Sequence, residues 1–182
     1  VCAAENGPRR LVYSPDLLVL MCTVYLLTHY EIEIDILAER HNIKFLRLSE
    51  TWFKLDQIES VNFSNYNLSA YYYRNEFIYG GVDIWSRKDL QVSQIDVSEF
   101  CLNKHILYQM ETYNCVFAIL VCYQSPSRNI SLFFDGINNV MNYLFSPNID
   151  FIVCGHFNID YYMPCNNFIE LCYLLLIYGL QY

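Results

Sequence analysis

The chain has 182 residues, 54% of them hydrophobic and only 16% charged, and a formal net charge of −8. That length suits one domain with a real core, and the composition excludes a disordered chain and favours elements buried on both faces. The acidic balance excludes a global field that would gather DNA, so backbone binding needs locally clustered cations.

Residues 1–15 carry the breakers Asn6-Gly7-Pro8 and read as a loose N-terminal segment. From Asp16 to about His41 the spacing predicts a helix, in which Ile32, Ile36 and Leu37 share a face and Glu31, Glu33, Asp35, Glu39 and Arg40 take polar positions. Asn42 is its stop. The uncharged run Leu17 to Leu27 inside it is too short to span a bilayer, and no small-residue cleavage site follows it, so it reads as core with no membrane partner. Ile43–Leu48 reads as a short strand running into Ser49-Glu50-Thr51-Trp52. Tyr71–Tyr73 and Gly81–Ser86 read as two strands joined through Gly80-Gly81. Val116–Tyr123 is a continuous run of strand formers, the pattern of a strand covered on both faces.

An amphipathic helix is expected from about Asn129 to Phe145, with Ile130, Phe133, Phe134, Ile137, Val140, Met141 and Leu144 at three- and four-residue steps and Ser127 or Asn129 as its cap. Phe151–Cys154 reads as a buried strand broken at Gly155, and a last apolar helix covers about Asn167 to Tyr178 with Gly179 as its stop. The eight cysteines show no C-x-x-C pair and no zinc spacing; several lie in apolar runs and read as buried reduced thiols of an intracellular protein. Interleaved helices and buried strands make the fold class α/β, and no repeat or linker divides residues 1–182, which read as a single domain.

In such folds functional groups sit where buried strands end in loops. Three strand ends carry them here: Glu50 after IKFLRLS, Tyr123 after VFAILVC, and His156 with Asn158 after FIVCG. A carboxylate, a phenol, an imidazole and an amide at one sheet edge are the donor set for a hard cation and a phosphate. Each residue also has a plainer reading: Glu50 as a solvated loop carboxylate, Tyr123 as core or rim packing, His156 and Asn158 as turn formers.

The order of these segments carries a resemblance. Leu48-Ser49-Glu50-Thr51-Trp52 resembles the LSETW segment of the endonuclease/exonuclease/phosphatase superfamily, in the version found in non-long-terminal-repeat retrotransposons. Gly80-Gly81-Val82-Asp83-Ile84 with Arg87 resembles its GGVAI-strand-Arg segment, and Tyr123-Gln124-Ser125-Pro126-Ser127 its Y-R-S-P-S stretch. Gly155-His156-Phe157-Asn158-Ile159-Asp160 is similar to its GDFNID motif, and Leu175-Leu176-Ile177-Tyr178-Gly179-Leu180 to its helix ending in YGL. The likeness runs in order from about residue 37 to 182.

The resemblance implies a two-sheet β-sandwich flanked by helices, the deoxyribonuclease-like four-layer fold, and Mg²⁺-assisted (or Mn²⁺-assisted) hydrolysis of DNA phosphodiesters, in the nucleus, by a domain that accompanies a reverse transcriptase. Glu50 would ligate the metal. Tyr123 would contact the scissile phosphate, and Asn158 would orient that phosphate and the attacking water.

The pattern also breaks. His156 stands where the family has an aspartate that handles the attacking water, so a charge is lost from a site built for a hard cation. No Ser-Asp-His segment precedes Tyr182 and no asparagine before Glu50 matches, which with Val1 in place of Met implies a fragmentary, incomplete copy lacking the C-terminal part. Lys44 and Arg47 interrupt an expected apolar strand, and Asp83 replaces a small apolar residue. The expectation is therefore a divergent endonuclease domain with weak or no activity. The alternative is a non-catalytic remnant serving as a nucleic-acid or protein interaction module; aromatic residues would offer it stacking surfaces, while the acidic balance opposes avid DNA binding.

Overall fold

The structure is a computed structural model that describes residues 19–23, 30–52, 57, 60–72, 80–95, 97, 106–111, 116–126, 129–144, 149–160 and 165–180. Among these residues the chain forms two four-stranded sheets and three helices, the α/β class read from the sequence. It divides into two compact units, residues 13–94 and residues 95–182 with 1–12.

The first unit holds β1 (Val19–Thr23), α1 (Glu31–Arg40), β2 (Phe45–Ser49), β3 (Tyr66–Tyr72) and β4 (Val82–Arg87), in the sheet order β1-β2-β4-β3. β1 and β2 are parallel and the other pairs antiparallel. Of the helix expected over residues 16–41, Glu31–Arg40 is a helix and Val19–Thr23 is a strand, while residues 16–18 and 24–29 lie outside the described residues. A short apolar run does not separate helix from buried strand by periodicity. Pairing decides it here, since β1 stays in register with β2 from Val19↔Phe45 to Thr23↔Ser49.

The expected inner face of α1 is also corrected. Ile34 and Ala38 are its buried residues, whereas Ile32, Ile36 and Leu37 are 73%, 51% and 42% exposed. The polar loop before β3 selects this orientation. Asp35 accepts the Ser64 N–H at 3.1 Å, and Glu31 accepts a backbone hydrogen bond from Asn62. The small Ala38 then lets the helix lie close to Leu46, Leu48, Phe63 and Trp85. Phe63 and Trp85 meet edge-on at 4.9 Å, a geometry that adds about 1 kcal/mol to their burial.

The strands expected at Tyr71–Tyr73 and Gly81–Ser86 are paired as β3 and β4, with Tyr72 opposite Val82; Tyr73 and the rest of the link to Gly80 lie outside the described residues. β3 begins earlier than expected, at Tyr66, whose hydroxyl donates to the Ile43 carbonyl at 2.8 Å. Lys44 falls just before β2, half-buried, so it does not break the strand. Arg47 is 4% exposed within β2 and is not left without a partner. Asp83 is fully buried and accepts the Trp85 indole N–H at 2.9 Å, which is how β4 tolerates a carboxylate where a small apolar residue was expected.

The second sheet, order β5-β6-β7-β8, contains β5 (Val92–Ile95), β6 (Ile106–Glu111), β7 (Val116–Tyr123) and β8 (Ile149–His156). β7 and β8 are parallel and α2 (Ile130–Leu144) joins them; α3 (Asn166–Ile177) follows. β7 has the expected limits, and its residues 117–123 are all buried. Ala118, Leu120 and Cys122 face the cluster formed by α2 and α3, together with Phe151 and Val153 of β8. On α2 the anticipated stripe of Phe133, Phe134, Ile137, Val140, Met141 and Leu144 is buried. Asn129 accepts the Ser131 N–H at 2.9 Å and caps the helix. Cys122 and Cys154 are buried free thiols, as read.

α3 ends on a left-handed glycine, Gly179 at φ 70°. Gly179 N–H bonds Leu176 at 2.9 Å and Leu180 N–H bonds Leu175 at 3.0 Å, the paired bonds of a Schellman stop. Tyr178 donates its hydroxyl to the Asn138 side chain at 2.6 Å and so ties this end to α2. The YGL ending is thus architectural.

β8 does not break at Gly155; it continues to His156. Glycine is what permits this. A Cβ at Gly155 would stand 2.2 Å from the Cys122 carbonyl oxygen of β7, so any larger residue would push the strands apart.

Candidate active site

Each sheet contains one parallel pair, and the candidate residues lie at or just past the C-terminal ends of those strands, where open α/β sheets place their ligands. Two groups result, one in each unit.

In the first unit Glu50 directly follows β2. Glu50 N–H donates to the Gly81 carbonyl at 2.9 Å and Trp52 N–H to the Gly80 carbonyl at 3.1 Å, so the antiparallel pairing of β2 with β4 runs on past Ser49↔Val82. The LSETW and GGVDI segments, thirty residues apart in sequence, are two sides of one construction. Gly80 and Gly81 lie at φ 96° and 98°, Glu50 at 57° and Trp52 at 54°. Left-handed backbone costs glycine nothing, but costs Glu and Trp on the order of 1 kcal/mol or more each, and such conformations gather at functional sites. Glu50 is 9% exposed, and its Oε2 accepts the Trp52 indole N–H at 3.1 Å. Thr51 between them is fully buried.

In the second unit Tyr123 ends β7 and His156 ends β8, opposite each other in register. Their rings stack at 6.1 Å with 21° between planes. Gln124 N–H donates to the His156 carbonyl at 2.9 Å, and the Asn158 amide Nδ2 donates back to the Gln124 carbonyl. Asn158 is left-handed at φ 51°, a conformation Asn adopts more readily than most residues. Alternate residues of GHFNI divide their work. Phe157 packs edge-on against Phe133 at 5.9 Å and Ile159 is buried in the same cluster, which holds His156 and Asn158 at the strand end between and beside them.

His156 Nε2 lies 3.1 Å from Asn158 Oδ1. Because the Asn158 nitrogen is committed to Gln124, its oxygen faces the imidazole, and the network assigns the proton to Nε2. His156 therefore donates where the resembling motif has an acceptor. Its Nε2 is no base in this arrangement.

The sequence reading did not single out Trp52 or Gln124. A signal for the first was present: both tryptophans of the chain, Trp52 and Trp85, follow a carboxylate by two positions. Gln124 acts through its backbone, which leaves no mark in residue type. Arg87, the last member of the GGVDI segment, is structural. It grips Asp89 through Nε at 2.5 Å and Nη2 at 2.6 Å, donates Nη1 to Asn42, and holds Asp89 below the usual carboxylate range through that hydrogen bond. Polar groups that line a cavity of about 450 Å³ beside it are engaged: Lys88 donates to the Ser64 carbonyl and Asn65 to Glu39.

No protein-family model matches the chain, and no curated protein matches its sequence. Solved structures do share its fold. The endonuclease domain of TRAS1, a telomere-specific non-LTR retrotransposon, superposes with a TM-score of 0.65 at 16% identity, over 90% of this chain and 71% of that one. AP endonuclease LMAP from Leishmania major gives 0.62 at 12% identity, over 87% of this chain and 65% of its own. An endonuclease/exonuclease/phosphatase family protein from Leptotrichia buccalis gives 0.55 at 12%, over 85% and 72%. The chain therefore has the endonuclease/exonuclease/phosphatase fold. Among its neighbours in that fold is the endonuclease domain of a non-LTR retrotransposon.

Among the described residues no three His, Cys, Asp or Glu side chains gather to hold a metal ion. Glu50 offers one carboxylate, already hydrogen-bonded through Oε2. That donor set does not make a protein cage. It suits an ion that keeps most of its coordination in water and phosphate oxygens, as Mg²⁺ does. Among the described residues, no helix is long and apolar enough to cross a membrane.

Proposed function

We propose that this chain is a divergent retrotransposon-type endonuclease domain, directed at DNA phosphodiesters in the nucleus, whose hydrolytic step is impaired. The observation that carries this is the folding of its matching segments: Glu50 and Asn158 stand just past buried parallel strands, both in left-handed backbone, in a fold shared with two endonucleases.

In this reading Glu50 holds the divalent cation, Mg²⁺ or Mn²⁺, which when bound neutralises charge on the phosphoryl and leaving oxygens. Asn158, anchored to Gln124 by one amide N–H, offers the other to the phosphate. Tyr123, only 6% exposed, backs the imidazole at the same strand end and in this reading contacts the scissile phosphate. His156 replaces the family's carboxylate with a ring whose Nε2 is committed as a donor to Asn158, so the negative charge that would help take a proton from water is missing.

A second reading, a non-catalytic module for nucleic acid or protein, is favoured by that same donor network. A plasmid-nicking assay with Mg²⁺ separates the two. Slow nicking that stops with EDTA and in Glu50→Ala supports the enzyme. Nicking indifferent to both contradicts it, and DNA retained on a filter without cleavage supports the module.

A further inference from the structure

Both tryptophans donate the indole N–H to the carboxylate two residues earlier, Trp85 to Asp83 at 2.9 Å and Trp52 to Glu50 at 3.1 Å. The settings differ. Asp83 is fully buried, and its bond satisfies a carboxylate inside the sheet. Glu50 is at a strand end, and its bond depends on a backbone frame that the residue types would not choose. Residues 50 and 52 are both left-handed and are hydrogen-bonded to Gly81 and Gly80, themselves left-handed. Either glycine replaced by a residue with a Cβ would resist that conformation. Glu50, Trp52 and the glycine pair therefore form one hydrogen-bonded unit, in which the indole holds one oxygen of the carboxylate.

We propose that Trp52 is a positioning residue for Glu50, holding its carboxylate in the single orientation in which it receives a divalent cation. This rests on the reading of Glu50 as the cation ligand. A free glutamate side chain must be ordered when it captures an ion, and a partner that has already ordered it strengthens capture. Removing such outer partners of a ligand commonly weakens metal affinity by about 10- to 100-fold.

The test uses the full chain labelled with ¹⁵N, whose two tryptophans give two indole cross-peaks. Trp52→Phe identifies one. Glu50→Gln moves the Trp52 peak and leaves that of Trp85, and Asp83→Asn does the reverse. Mg²⁺ titration, followed at the Glu50 and Gly81 amides, then gives affinity. The expected result is binding about tenfold weaker or worse in Trp52→Phe and none in Glu50→Gln.

A Trp52 peak unmoved by Glu50→Gln overturns the contact. Undiminished affinity in Trp52→Phe, with binding still lost in Glu50→Gln, overturns the positioning role and leaves the ligand role standing. Binding indifferent to Glu50→Gln removes the ligand reading and the inference with it. If Trp52→Phe does not fold, the wild-type protein decides: Mg²⁺ must move the Trp52 indole along with the Glu50 amide, and an unmoved indole overturns the proposal.

Discussion

Replacing Gly155 by alanine tests how closely the candidate site depends on strand approach. The new Cβ would lie 2.2 Å from the Cys122 carbonyl oxygen, 2.9 Å from its carbonyl carbon and 3.0 Å from its Cβ. An ordinary carbon–oxygen contact is about 3.4 Å, so the shortfall is roughly 1 Å, and two of the three obstructing atoms are backbone. Gly155 is not left-handed, so the substitution probes sterics alone. Overpacking of this kind costs about 1–3 kcal/mol where side chains can yield. Backbone yields less, so about 3 kcal/mol or more is expected before crediting alanine with about 0.5–1 kcal/mol for a stiffer unfolded chain. A net loss of at least about 2 kcal/mol should appear in urea denaturation. The amides of Cys122, Tyr123, Gln124 and His156 should shift, because β8 pairs Gly155 with Cys122 and His156 with Tyr123. A loss below about 0.5 kcal/mol with those amides in place would refute the close approach.

Asp83→Ala, which restores the small residue expected from the resemblance, should destabilise by about 1–3 kcal/mol because the buried Trp85 indole N–H loses its acceptor, while Asp83→Asn should cost less; denaturant midpoints of the two variants check this. Gly179→Ala should cost about 1 kcal/mol by forcing alanine to φ 70°, read as a lowered melting temperature. Burial pushes the Glu31 carboxyl up, so the native state holds this proton more tightly than the unfolded chain does. Its contribution is therefore fully present below the ordinary glutamate value and is lost as pH rises through the raised value, and Glu31→Gln should flatten that part of the stability–pH curve.

Much of the second sheet was legible because its segments have one dominant signal. Val116–Tyr123 is apolar throughout and its residues 117–123 are buried, and the stripe on α2 has helical spacing and a single apolar side to face. Once those strands are found, Tyr123, His156 and Asn158 fall at their ends without further information. The first unit was less legible. Residues 19–23 are apolar enough for helix or strand, and only the neighbouring β2 decides between them. In α1, Ile32, Ile36 and Leu37 give the stronger apolar face, yet loop N–H groups captured by Glu31 and Asp35 turn Ile34 and Ala38 inward. Val92–Ile95 is short, polar in its middle and half-exposed, so β5 has no period to read. At the site, Asn158 announces a left-handed turn by its residue type, but Glu50 and Trp52 do not. Their conformation comes from Gly80 and Gly81, which approach from β4.

The central claim is an endonuclease scaffold whose chemistry is blunted at one position, and His156→Asp addresses it most directly. With Mg²⁺, nicking by this variant should exceed that of the wild type by roughly 100-fold, the usual worth of one placed acid–base group, and the gain should vanish when Glu50→Gln is added. A folded His156→Asp variant that nicks DNA no faster than the wild type, or one whose gain survives Glu50→Gln, would contradict it.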